Sequence, residues 1–185
     1  GGRPVEAGVT YLPEISSPDD WQSFLGTVSD KWVMLSFPEP TCRANEQWLE
    51  FGMPGSAERM AEDRASGQQA WNNNLQATGS IDGRRRDLHA QLEAAGAVGI
   101  ITSLWPGSYG TTRVFNAYNR ETPTFELSCE DYGLVHRLTK NGQDPRLRLT
   151  AEAENLGEVP VYNVIGEIQG TELPDEYVML SAHYD

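Results

Sequence analysis

The chain has 185 residues, and its 14 Lys and Arg stand against 27 Asp and Glu, for a net charge of −13. That balance argues against nucleic acid as a partner, because phosphates select basic surfaces, and it disfavours anionic membranes. Hydrophobic residues make up 38%, with 18 Gly and 11 Pro, which fits a loop-rich globular chain with one sizeable core or two small ones, and no run has the length of a membrane span.

Residues 1–30 are weakly patterned and read as a lead-in, with Ser17-Pro18-Asp19-Asp20 a helix start before Trp21, Phe24 and Leu25. Trp32-Val-Met-Leu-Ser-Phe37 is a short apolar strand ended by Pro38 and Pro40. Residues 52–83 are polar. Within them Ser56 is expected to cap a short helix through Ala65, and Gln68-Gln69-Ala-Trp-Asn72-Asn73-Asn74 reads as loop. The basic cluster Arg84-Arg85-Arg86 opens a helix running to Ala95, and its charges are expected to be solvated. Leu88, Leu92 and Ala95 fall at i, i+4 and i+7 on its inward face, and Gly96 stands where such a helix stops.

Ala97-Val-Gly-Ile-Ile-Thr-Ser103 is a buried strand, and Trp105-Pro-Gly-Ser-Tyr-Gly110 a turn-rich loop. Thr122-Pro-Thr-Phe-Glu-Leu127 is a short strand. Ser128, with Asp131 three residues on, starts a helix that turns Tyr132, Val135 and Leu138 inward and ends at Asn141-Gly142. Leu147, Leu149, Ala151 and Ala153 alternate with Arg148, Thr150, Glu152 and Glu154, as in a half-exposed strand. Cys42 and Cys129 are either one disulfide or two buried thiols, and their spacing matches no zinc motif. Neither His89 nor His136 stands in a metal-binding arrangement with an acidic or histidine residue at i+4, and both read as solvated helix positions. The acidic groups Glu58/Glu62/Asp63 and Glu152/Glu154 read as solvated faces.

The densest signal lies at the end of the chain. Pro160-Val-Tyr-Asn-Val-Ile-Gly-Glu-Ile-Gln-Gly170 reads as a strand, Thr171-Glu-Leu-Pro-Asp175 as a turn, and Tyr177-Val-Met-Leu-Ser-Ala182 as a buried strand leading into His183-Tyr184-Asp185. In a strand His183 and Asp185 face the same side. A carboxylate there can accept one ring N–H and leave the other imidazole nitrogen for a metal.

Residues 160–185 resemble the opening of the catalytic domain in the zinc exopeptidases of metallopeptidase family 28, which includes aminopeptidases and glutamate-carboxypeptidase-like enzymes. The shared pattern is Tyr-Asn-Val-Ile-Gly-Glu-Ile, a turn, and a strand ending Ala-His-x-Asp. A looser resemblance, carried by Ala94-Ala-Gly-Ala-Val-Gly-Ile-Ile101 and by Thr122 to Leu134, links residues 31–155 to the protease-associated domain inserted before that strand in many such enzymes. The resemblance implies an α/β chain. A protease-associated-type mixed β/α domain over 31–155 precedes the first strands of a truncated zinc-peptidase sheet over 156–185.

It also implies hydrolysis of terminal peptide bonds with two zinc ions, in an extracytoplasmic (periplasmic or secreted) compartment, on peptide substrates. His183 would be a zinc ligand and Asp185 the residue that orients it. The remaining ligands and the general base are expected beyond Asp185. Starting at Gly1-Gly2-Arg3 and stopping within this motif, the chain is expected to be part of a larger protein and not to catalyse by itself. Two alternatives stand beside this one. In the first, 31–155 is a non-catalytic interaction module; in the second, the chain belongs to another two-zinc hydrolase that shares the His-x-Asp strand.

Overall fold

The computed structural model describes residues 3–79, 85–107, 118–119, 121–152, 157–173 and 175–182, with the side chains of 85 and 86 left aside. The chain divides into two units, residues 1–151 and residues 152–185.

The first unit is mixed α/β. Its elements in order are β1 (Val5–Tyr11), α1 (Pro18–Leu25), β2 (Lys31–Met34), α2 (Asn45–Phe51), α3 (Ser56–Ala77), α4 (Arg85–Ala94), β3 (Gly99–Thr102), β4 (Thr124–Glu126), α5 (Cys129–Lys140) and β5 (Arg146–Leu149). They build one five-stranded sheet in the order β4-β3-β2-β1-β5. The first four strands run parallel, and β5 closes the far edge antiparallel to β1. Parallel strands need crossover connections that cover both faces of a sheet, so their sequences are apolar throughout rather than alternating.

β2 shows why. Val33 and Leu35 enter a core with Trp21 and Phe24 of α1, Leu75 of α3 and Leu88 and Leu92 of α4. Trp32 and Met34 turn to the opposite face, where Tyr132 and Val135 of α5 cover them together with Ala7, Val9 and Ile101. The Trp32 indole fills the second core, donates its Nε1–H to the Leu147 carbonyl at 3.1 Å and meets the Phe125 ring edge-on at 5.2 Å. Gly99 is glycine because of this ring: a Cβ there would lie 2.4 Å from Trp32 Cζ3 and 2.5 Å from the Pro123 carbonyl oxygen.

Local signals account for several boundaries. Ser17 caps α1 by accepting from the Asp20 N–H, Ser128 caps α5 by accepting from the Asp131 N–H, and Gly96 stops the chain after α4 with φ +88°.

Elsewhere tertiary structure overrides the local pattern. The stretch read as a lead-in supplies, besides the expected helix α1, the strand β1. Val5, Ala7, Val9 and Tyr11 do alternate, but small Ala7 and Gly8 weaken the signal, and the strand exists because its backbone pairs with β2 on one side and β5 on the other. α3 does not end near Ala65 but continues through the expected loop to Ala77, and its N-cap is Gly55 rather than Ser56. Side-chain bonds from Gln68 to Asn72 and from Gln69 to Asn73 support the polar turns. Its far end is then anchored. Asn74 accepts from the Ile15 N–H and donates to the Pro13 carbonyl at 2.8 Å, while Leu75 is buried and Trp71 packs against the first core. α2 was not expected at all.

The second unit, in its described residues, contains no helix or strand. Val161, Val164, Ile165, Ile168, Val178 and Leu180 are all exposed. The strands expected over 160–170 and 177–182 are therefore not formed among these residues, because a strand persists only where a neighbour takes up its backbone N–H and C=O groups.

Candidate functional site

His183, Tyr184 and Asp185 lie outside the described residues. Among the described residues, no three His, Cys, Asp or Glu side chains converge on a common point, so these residues do not make up a zinc set.

Chemistry-bearing side chains do gather at the carboxyl ends of the parallel strands, where open α/β sheets place their ligands. Past β2, Ser36 is buried. Its N–H donates to the Tyr132 hydroxyl and its carbonyl accepts from it, both at 2.9 Å, and its Oγ accepts from the Ser103 N–H past β3 at 3.0 Å. These bonds tie the ends of β2 and β3 to α5. On the same edge Cys42 is joined to Cys129, the first residue of α5, by a disulfide. The two-way reading of the cysteines is thereby resolved for this structure.

Arg64 of α3 is the hub above this edge. Its Nε donates to Glu39 Oε2 at 2.9 Å, Nη1 to Asn45 Oδ1 at 3.1 Å and Nη2 to the Thr41 carbonyl at 3.3 Å. Its guanidinium also lies 4.4 Å from the centre of the Trp105 ring. Gly67 makes this approach possible, since a Cβ there would sit 2.9 Å from the Phe37 ring. Burial pushes the Glu39 carboxyl above its ordinary range, although Arg64 pulls the other way.

Glu126 closes the edge at the end of β4 with both carboxyl oxygens buried. Burial raises its pKa above the ordinary 4.5, partly offset by the Leu104 backbone N–H. A carboxyl raised in the folded state supplies stability that is full below its ordinary value and is lost as pH rises through the elevated one. Glu126→Gln is therefore expected to stabilise the chain at about pH 7 more than at about pH 4, read as the shift in urea midpoint. An advantage that grows on acidification contradicts the assignment.

Both internal histidines depart from the solvated positions expected of them. His89 is 1% exposed, with Nδ1 2.7 Å from Asn119 Oδ1 and its ring edge-on to Tyr118. Asn119 in turn donates to Thr122 and accepts from Thr124, while Glu93 accepts from the Glu121 and Thr122 N–H groups, so α4 lies beneath the chain that leads into β4. The helix buries a second stripe beside Leu88 and Leu92, which a count of apolar residues alone does not register. His136 is half-buried edge-on to Tyr11, and burial, followed by Lys140 and Arg137, holds its pKa below the ordinary value. Glu58, Glu62 and Asp63 are exposed, as read. The side chains of Arg84-Arg85-Arg86 lie outside the described residues, and so does Glu154.

Compared with protein-family models, with curated proteins and with solved structures, the chain matches none. Its chemistry has to be argued from its own residues. The carboxyl-edge groups were not visible as a site in the sequence. Glu39 and Arg64 are 25 positions apart and Ser36 and Tyr132 are 96 apart, with no motif linking either pair. The carboxyl edge so built presents interlocked loops, with a buried hydroxyl pair and two carboxyls of raised pKa.

Proposed function

We propose that this chain is the front part of a two-zinc exopeptidase resembling metallopeptidase family 28. In this proposal a protease-associated-type domain over 31–155 modulates access of peptide substrates to a catalytic domain that opens at about residue 156. The observation that carries the proposal is the contrast across residue 151. Before it, a sheet covered on both faces buries its apolar residues. After it, a segment rich in Val, Ile, Tyr and Leu, in the pattern quoted above, leaves them exposed. Apolar strand-like sequence whose described residues are exposed within their own unit calls for further structure to cover it.

Zinc would supply activation of water for attack on a terminal peptide bond. His183 is the proposed ligand, and Asp185 the residue that sets its tautomer by accepting the second ring N–H. The Cys42–Cys129 disulfide is compatible with the extracytoplasmic location that forms part of this proposal.

The test begins with the coding sequence past Asp185. The extended protein is expected to carry two zinc ions and to release terminal residues from peptides. His183→Ala should abolish zinc retention, and Asp185→Asn should weaken zinc affinity or activity by about 10–100-fold. A stop codon or an unrelated domain after Asp185, or an extended protein that holds no zinc, ends the proposal and leaves 31–155 as an interaction module.

A further inference from the structure

In the first unit the three most exposed large apolar side chains described are Leu49, Phe51 and Met53, at 72%, 69% and 75%, and they fall within five positions of one another. They sit on α2 and on the turn into α3, against which α2 packs. The turn is tight and fixed. The Gly52 N–H donates to the Trp48 carbonyl at 3.0 Å, and a Cβ on Gly52 would lie 2.3 Å from that oxygen. Ser56 closes it from the other side, donating to the Met53 carbonyl from its N–H at 2.9 Å and from its hydroxyl at 2.6 Å. A built turn that holds three large apolar groups in water is a feature of interaction surfaces.

The same two helices carry an excess of exposed acidic residues. Glu46 and Glu50 of α2 and Glu58, Glu62 and Asp63 of α3 are all exposed. The cations nearby do not balance these five carboxylates, since of those described only Arg43 and Arg59 keep an unneutralised charge. Arg64 is paired with Glu39, Arg43 lies over the Trp48 ring at 5.2 Å, and Arg59 reaches Ser56 Oγ at 3.4 Å. We propose that the α2–α3 hairpin is a docking surface for a basic segment of another protein that anchors through large apolar side chains. Charge complementarity selects this occupant. An anionic bilayer is repelled by these carboxylates, and a second copy brings the same −13 and, in a two-fold contact, the same acidic residues. Apolar anchors would supply the affinity, and the carboxylates would set partner choice and encounter rate. The proposal stands independently of the zinc-peptidase reading, because it concerns residues 46–63 and needs no metal.

The test is calorimetric titration of the folded chain with two synthetic peptides of one Leu/Phe pattern, one spaced by Lys and the other by Glu. The Lys peptide is expected to bind and the Glu peptide not, with affinity falling as salt rises. Leu49→Ser with Phe51→Ser should weaken Lys-peptide binding about 10-fold or more at an unchanged unfolding midpoint, since both side chains are already in water. Glu50→Lys with Glu62→Lys should weaken the Lys peptide and admit the Glu peptide. Equal binding of both peptides, or no binding, overturns the proposal. So does Lys-peptide binding that survives Leu49→Ser with Phe51→Ser, which would reduce it to diffuse attraction by an acidic chain. Self-association in sedimentation that those two substitutions abolish would also overturn it, by assigning the face to a second copy.

Discussion

Trp32→Ala is expected to lower the stability of this chain by about 3–5 kcal/mol, the range for truncating a fully buried large aromatic side chain. Trp32 has no exposed surface, and its ring spans the second core from β2 to Phe125 of β4 and the Leu147 carbonyl of β5. Removing it leaves a void between α5 and the sheet, and Gly99, which has no side chain, cannot close it. The Leu147 carbonyl also loses its indole donor, for about a further 1 kcal/mol at most, since an edge-strand carbonyl can turn to water. Chemical denaturation followed by far-ultraviolet circular dichroism measures the effect as a shift in midpoint at constant slope. Trp32→Phe should recover part of the loss by keeping a ring in the cavity while still lacking the N–H donor. A Trp32→Ala chain that unfolds at the native midpoint would show that the second core is not organised around this ring.

Opening the Cys42–Cys129 bond is expected to cost about 4.6 kcal/mol. The bond closes a loop of 87 residues, and in the chain-entropy account its main effect is to restrict the unfolded ensemble. It also holds the loop after β2 against the start of α5, beside the Ser36–Tyr132 bonds and the Arg64 hub. Reduction and the double substitution Cys42→Ser/Cys129→Ser should lower the unfolding midpoint by similar amounts, because both remove the same constraint. Reduction that leaves the midpoint of the wild-type chain unmoved would mean that the two thiols are not joined. The substituted chain should, in contrast, be indifferent to reductant, which separates loss of the cross-link from any general effect of the reagent.

Much of the fold was legible locally. The apolar runs at 32–37 and 97–103 became β2 and β3, the spacing of Leu88 and Leu92 marked the buried face of α4, and Ser128 marked the start of α5. Each of these is a signal carried within a few positions: a period, a cap, a glycine stop. The same logic passed over β1, whose small residues weaken its alternation, and cut α3 short at a polar stretch that tertiary anchors hold helical. It also left His89 in solvent, because one apolar stripe on a helix does not reveal that a second, polar stripe is covered by distant chain. As for function, the pairing of His183 with Asp185 was read from their alternate positions in an expected strand and from the resemblance, and those residues fall outside the described structure.

The sequence by itself determined β2, β3 and the buried face of α4, together with the serine caps of α1 and α5, since these follow from the backbone's short periods and its local hydrogen bonds. Only the tertiary structure decided that Cys42 meets Cys129 across 87 positions, that Asn74 serves Pro13 across 61, and that Trp32 reaches Leu147 across 115. Such contacts depend on how the elements stack and on which groups burial leaves in need of a partner, and no pattern confined to neighbouring residues encodes that.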